Sequence, residues 1–258
     1  MTEPLGQSRF FRPLARRYAN VPSILLCRVP ELEYAAALPL GPAALDHCCG
    51  DGAFAALGWP GEKFAAGCDL AAPSIAQARR GARHHRLDVC DAAQRLPYDD
   101  AAFDLVFNNS ALEHIRDLDR TLVEVARVVR PGGRFAFNVL NRRYFDWWPA
   151  DAPPAEGYRD WQPFIHALDL GEWTERLRVA GFRVCEVQGY FPEETARVLA
   201  LLDSEFSGHF FGRLRSRLVA DYQGSWWTRR RWRRQLAELP WRTAPDAGAG
   251  FFFVCERQ

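Results

Sequence analysis

An α/β fold is the architecture this sequence predicts: a doubly wound, mostly parallel seven-stranded sheet with a helical insertion before the last strand. Three observations point to it. Short apolar runs alternate with segments of helical period, the order that gives parallel pairing with helices on both faces. The first apolar run ends in a glycine loop, and the next two lead to the carboxylates Asp69 and Asp91. The chain has 258 residues, 48% of them apolar, which is enough to bury one large core.

The elements follow in order. Residues 1–20 are basic and aromatic, and a helix from about Pro22 to Leu38 is stopped by Pro39. Ala43–Cys48 reads as the first strand and leads into Gly50 and Gly52, with a short helix over Ala53–Leu57. Phe64–Asp69 is the second strand, and Pro73–Gly81 is a helix with proline in its first turn and glycine at its end. Arg86–Cys90 and Phe103–Asn108 are the third and fourth strands. Leu118–Arg130 places apolar residues at 118, 122, 125, 126 and 129, one helical face, until Pro131-Gly132-Gly133 breaks it. Arg134–Leu140 is the fifth strand, Glu172–Ala180 a helix, Phe182–Gly189 the sixth strand and Gly250–Cys255 the seventh. Two stretches, 141–170 and 191–249, are too long for ordinary connections and are the expected seats of specificity. The organisation expected is an N-terminal helical lid over 1–42, an α/β domain over 43–190, a helical Arg/Trp-rich insertion over 191–249 and a returning strand over 250–258.

Composition excludes more than it selects. The net charge is +1 and Lys63 is the only lysine, so the whole-chain charge favours no partner. No basic segment leads into an apolar run near the start, and Tyr34–Leu45 is broken by Pro39, Gly41 and Pro42, so neither a secretory signal nor a membrane span is expected. Seven cysteines without a C-x-x-C pair read as reduced, buried thiols of a cytoplasmic protein. His47, Cys48 and Cys49 adjoin, but adjacent residues cannot build a tetrahedral cage alone, and no metal is expected.

The chemistry gathers at the first loop. A strand ending in glycines brings backbone N–H groups and a helix N-terminus close to a ligand. Gly50-x-Gly52-x-x-Ala55 also fits the loose dinucleotide pattern, which alone is a weak signal. Asp46 stands on the strand four residues before Gly50, Asp69 ends the second strand 19 residues after Gly50, and Asp91 follows the third. An aspartate at Asp46 suits an ammonium group and repels a diphosphate, Asp69 suits ribose hydroxyls, and Asp91 suits an adenine amino group. Capping accounts for any one of these carboxylates and for the set less well.

These residues resemble those of the class I S-adenosylmethionine-dependent methyltransferases of the small-molecule group. The resemblance is carried by Leu45-Asp46-His47-Cys48-Cys49-Gly50-Asp51-Gly52, by Asp69, and by Asp91 with Leu96-Pro97-Tyr98. It continues through Phe103–Asn108, Leu112-Glu113-His114-Ile115 and Arg130-Pro131-Gly132-Gly133. It covers about residues 43–190 and the terminal strand, and it implies a Rossmann-like sheet with S-adenosylmethionine as cofactor. It further implies that Asp46, Cys48, Gly50 and Gly52 cradle the methionine part and that Asp69 with Leu70 holds the ribose. Asp91 and Ala92 would flank the adenine, with Asn108 and Asn109 beside the methyl group. The family loop begins with glycine where Cys48 stands; Cys48 is expected to keep ordinary dihedrals and merely narrow the space.

The acceptor side is less defined. Methyl transfer needs alignment and exclusion of water, and a general base only where the nucleophile starts protonated. His166, His114 and Tyr144 are the candidate bases, each with a packing or capping role as its alternative. Trp147, Trp148 and Trp161 add aromatic surface to the connection after the fifth strand. Residues 209–242 carry nine arginines against Asp221 and Glu238, interleaved with Trp226, Trp227, Trp232 and Trp241. This segment reads as a solvated basic face, as a surface for anionic lipid or a phosphorylated acceptor, or as a nucleic-acid contact. Asn108-Asn109-Ser110-Ala111 lacks the Pro-Pro-aromatic run of the amino-methylating nucleic-acid enzymes, which argues against nucleic acid as the partner. Expected, then, is methyl transfer to O or N of a small-molecule, lipid- or sugar-linked acceptor, with peripheral anionic-membrane contact through 209–242 as an option. The rival is a protein that binds S-adenosylmethionine without turnover.

Overall fold

The computed structural model describes residues 3–150, 152, 163–209, 221–222 and 224–258; Trp161, Arg213, Arg215 and Arg217 lie outside them. The chain divides into two compact units, one of residues 34–140, 165–188 and 251–258, the other of residues 1–33, 141–164 and 189–250.

The first unit carries the sheet. Its strands are β1 (Ala44–His47), β2 (Phe64–Asp69), β3 (His84–Val89), β4 (Phe103–Asn109), β5 (Val129–Leu140), β6 (Phe182–Tyr190) and β8 (Gly250–Arg257), the last two running across the unit boundary. Helices α3 (Ala53–Gly58), α4 (Ala72–Gly81) and α5 (Leu118–Val128) connect the parallel strands, and α7 (Leu170–Val179) precedes β6. The order is β3-β2-β1-β4-β5-β8-β6-β7, where β7 is the short strand Arg242–Thr243, with β1 parallel to β2 and β4, β2 to β3, and β4 to β5. The chain winds outward from β1 in one direction and then from β4 in the other, so a crevice opens at the carboxyl ends of these two strands.

Burial follows the pattern that predicts it. On α5, Leu118, Leu122, Val125 and Ala126 are buried, and Asp117 caps the helix by accepting the Arg120 N–H. Trp173 of α7 is fully buried, with its ring 5.2 Å from that of Phe137 on β5 and 6.2 Å from that of Phe253 on β8. Aromatic side chains this large bury roughly 150–250 Å² each and dominate such a core.

The structure corrects the reading in several places. An eighth strand, β7 (Arg242–Thr243), pairs antiparallel with Gly189 and Tyr190 within the second unit. Pro131-Gly132-Gly133 does not separate helix from strand: α5 stops at Val128, Val129 already pairs with Phe103, and the register shifts before Leu105 meets Arg134. The three residues are thus an irregularity inside β5, with Gly132 at φ +71°. The first long helix, α2 (Pro22–Ala35), ends short of Leu38 because Ala37 and Leu38 donate to Tyr34 and Ala35, tighter three-residue bonds. Strand β3 begins at His84, two residues before the expected Arg86, and Cys185 on β6 is exposed.

The second unit is helical. Its described helices are α1 (Phe11–Arg17), most of α2, α6 (Arg143–Asp146), α8 (Glu193–His209) and α9 (Trp226–Glu238). The N-terminal segment holds the end of α9: Leu5 donates to the Leu239 carbonyl, and Trp241 donates to that of Glu3. Helix α9 starts with a capping box in which Ser225 and Thr228 satisfy each other's backbone N–H groups.

Candidate cofactor site

The loop between β1 and α3 is built on left-handed backbone. Cys48 has φ +60°, Gly50 +53° and Gly52 +74°. Cys48 therefore does not keep the ordinary dihedrals expected of it: it adopts the conformation that costs a side-chain-bearing residue roughly 1–2 kcal/mol. The loop is held from several sides. The Gly50 N–H donates to the Asp69 carboxylate at 2.9 Å, the Cys49 N–H to the Cys68 carbonyl at 2.9 Å, and the Cys90 N–H to the Asp69 carbonyl at 3.0 Å. Burial pushes the thiols of Cys48 and Cys49 up, so both are neutral. Cys48→Gly is expected to raise stability by about 0.5–1 kcal/mol, the relieved strain less the extra freedom of the unfolded glycine chain. A denaturant midpoint lower than wild type would mean that the packing of the thiol outweighs the strain.

The remaining predicted residues lie at the carboxyl ends of neighbouring parallel strands. Asp69 is half-buried and also accepts the Ala71 N–H at 2.8 Å, while Leu70 is 71% exposed. Asp91 is exposed and accepts the Ala93 N–H; Ala92 is half-buried beside it. Asn108 is fully buried, its amide donating at 3.0 Å to both the carbonyl and Nδ1 of His47. Asn109 accepts from the Asn138 amide at 2.8 Å.

Asp46 is not open to solvent. It is 5% exposed, and its Oδ2 lies 2.8 Å from Nε2 of His84, the first residue of β3. Its pKa is raised, chiefly by burial, with the His84 bond opposing. Cys49 completes a buried group in which Asp46, Cys49 and His84 bring ligand-type atoms within 4.8 Å of one another. Two histidines thus organise the base of the loop, His47 from within β1 and His84 from two strands away. The sequence reading missed both roles; the only signal was the pair His84-His85 just before the third apolar run.

The candidate bases fall in different units. His114 ends a short 3-10 turn after β4, and the main-chain N–H groups of Ile165 and His166 both donate to the Glu113 carbonyl in that turn. His166 Nε2 lies 2.9 Å from the Ile115 carbonyl, to which it donates. The fold thus brings His166 beside the His114 turn. Tyr144 belongs to the second unit, where it is fully buried and its hydroxyl donates to Asp203 at 3.1 Å. Its ring packs with those of Phe145, Trp148 and Phe164.

A left-handed loop after the first strand is tied to a carboxylate at the end of the second, at the switch point of a parallel sheet, where open α/β sheets bind their ligands. Known proteins agree. Residues 45–137 match a family described as a methyltransferase domain. A protein of Mycolicibacterium smegmatis, named as a probable S-adenosylmethionine-dependent methyltransferase, is 32% identical over 182 residues, 70% of this chain and 66% of its own length. A malonyl-[acyl-carrier protein] O-methyltransferase of Salmonella typhimurium is 31% identical over 150 residues, 52% of this chain and 59% of its own. The chain therefore spans less than two thirds of each of these relatives. The solved structure of an S-adenosylmethionine-dependent methyltransferase from Thermotoga maritima superposes with a TM-score of 0.60 at 15% identity, covering 96% of this chain and 98% of that one, and so shares the fold. The fold is that of the class I methyltransferases, whose cofactor is S-adenosylmethionine. Within that class, the stretch that matches the family model, residues 45–137, is a methyltransferase domain.

Among the described residues no helix is long and apolar enough to cross a membrane.

Proposed function

We propose that this chain transfers the methyl group of S-adenosylmethionine to an oxygen or nitrogen of a small-molecule, lipid-linked or sugar-linked acceptor. The observation that carries the reading is the Gly50–Asp69 bond, which joins the left-handed loop to a carboxylate at the switch edge. The character of that edge supports it. Residues 44–53, 69–72, 90–93 and 108–111 contain no arginine or lysine, in a chain where these number 33. A diphosphate would meet no permanent cation there, only the carboxylates Asp69 and Asp91, which suit a cationic ligand better.

When bound, the cofactor supplies a methyl group on a cationic sulfur that becomes neutral on transfer. The chain's own residues bind and orient it. Gly50 and Gly52 let the backbone approach the methionine part, and Cys48 narrows that space. Asp69, beside Leu70, accepts from the ribose hydroxyls. Asp91 accepts from the adenine amino group against Ala92, and Asn109, with the buried Asn108 behind it, borders the reacting end. For a protonated acceptor, His166 is the base we favour: with Nε2 donating to the Ile115 carbonyl, its Nδ1 is the atom that takes the proton. His114, on the adjoining turn, and Tyr144, bound to Asp203, are the other candidates, and the long connections 141–170 and 191–249 are where acceptor choice would lie.

Calorimetric titration with S-adenosylmethionine and S-adenosylhomocysteine tests this. Binding of both is expected, and failure of the wild-type protein to bind either overturns the proposal. Asp69→Ala should weaken binding by about 10- to 100-fold, the value of hydrogen bonds to a charged group. Unchanged affinity would remove Asp69 from the ribose.

A further inference from the structure

The outward face of α9 has no role in cofactor binding, and its composition is unusual. Trp226 is 60% exposed and Trp227 73%, on successive residues whose rings meet edge-on at 4.5 Å. Arg230, Arg231, Arg234 and Gln235 share their exposure, and the Arg230 guanidinium stacks over the Trp226 ring at 5.3 Å. The opposite face is the one that is anchored. Leu236 is buried, Trp232 donates to Asp221 at 2.8 Å and contacts the Tyr222 ring, and the helix end is held by the N-terminal segment. Two shallow hollows flank Arg230. One, of about 480 Å³, is lined by Ser225, Trp226, Arg229, Arg230 and Arg233; the other, of about 350 Å³, by Trp227, Arg230, Arg231, Arg234 and Gln235. Among the described residues no acidic one lines either hollow; Arg231 pairs with Asp221 at 2.7 Å, which leaves Arg230 and Arg234 as the outward charges.

We infer that this face of α9 docks on an anionic phospholipid surface, Trp226 and Trp227 entering the headgroup layer and the arginines seating lipid phosphates. Indole rings have an apolar body and a polar N–H, which is the combination the membrane–water boundary accommodates. Guanidinium groups bind phosphate by paired hydrogen bonds and are more weakly hydrated than ammonium groups, so arginine suits contacts that are partly dehydrated. A free phosphate ester would engage the arginines and leave two neighbouring tryptophans in water. A lipid surface uses both features at once. The inference stands on the second unit alone and does not depend on the methyl-transfer reading.

The full-length protein should co-sediment with vesicles of phosphatidylcholine containing about a third phosphatidylglycerol, and bind pure phosphatidylcholine at least tenfold more weakly. Raising salt tenfold should release it. Arg230→Gln with Arg234→Gln should weaken binding on the order of 30-fold, from about 1 kcal/mol per arginine near an anionic surface. Trp226→Ser with Trp227→Ser should cost at least tenfold and abolish the blue shift of tryptophan emission that vesicles produce. All four positions are exposed, so circular dichroism should be unchanged. Failure to bind anionic vesicles, equal binding to neutral ones, or indifference to both double variants overturns the inference. So does release by millimolar inorganic phosphate at constant ionic strength, which would mark the hollows as a soluble-anion site.

Discussion

His84→Ala should lower the stability of this protein by about 3–5 kcal/mol at pH 7, a large part of the roughly 5–15 kcal/mol that holds such a domain folded. The imidazole is 8% exposed, bonded to Asp46 at 2.8 Å and stacked on Phe64 with ring centres 5.6 Å apart. Gly67 on the intervening strand makes the room: a Cβ there would stand 2.6 Å from His84 Cδ2. Removing the ring leaves Asp46 buried without its partner, and a buried unpaired carboxylate is far more costly than a lost contact. Burial already raises the Asp46 pKa, so the variant escapes by protonating this group. The loss should therefore shrink as pH falls from 7 toward 5, and His84→Gln, which keeps a donor, should lose less. Urea unfolding at the two pH values checks all three statements. A loss below about 1 kcal/mol, or equal losses for Ala and Gln, would show that the pair carries no special weight.

The second large effect is acid destabilisation through His47. This residue is completely buried on β1 and its Nδ1 accepts the Asn108 amide; burial lowers its pKa from 6.5 to about 4. A depressed histidine is neutral in the folded chain while the unfolded chain still binds a proton. Between pH 6.5 and 4 the unfolded state therefore holds more protons, and stability falls as the pH is lowered through that window. The shift corresponds to a loss on the order of 3 kcal/mol by pH 4. Asp46 acts in the opposite sense, since its raised pKa favours the folded state at low pH, and it offsets part of the loss near the bottom of the range. His47→Val removes the titrating group. Its denaturation midpoint should change distinctly less than that of wild type between pH 7 and pH 5, and parallel pH profiles for the two proteins would refute the assignment.

How far these features could be read in advance depends on how local their causes are. The strand and helix order was legible because burial on one face of α5, or along β4, repeats in the sequence itself. Asp69 was legible because a carboxylate at a fixed distance beyond a glycine loop has a known geometric consequence. The partner of Asp46 was not, since His84 lies 38 residues away and meets it only after three strands have paired side by side. The conformation of Cys48 was misjudged for a related reason: a side chain predicts its own preferred dihedrals, and here the bonds of Gly50 to Asp69 and Cys49 to Cys68 override them. β7 is two residues long and exists because Gly189 and Tyr190 offer it an edge, so no periodicity announces it. The role of the arginines around α9 depends on which face of the helix is anchored, a fact that resides in the N-terminal segment rather than in the helix.

That brief β7 has a bearing on colloidal behaviour. An open sheet has two margins, and each is a row of unmet backbone donors and acceptors to which another chain can add itself. At one margin β7 covers only Gly189 and Tyr190, and the rest of β6 carries the exposed charges Arg183 and Glu186. At the other, β3 sets His85 and Arg86 outward, exposed, and joins Arg86 to Asp88 as an ion pair. Charge guards both sides, so a sheet rich in aromatic side chains is kept from spreading into its neighbours.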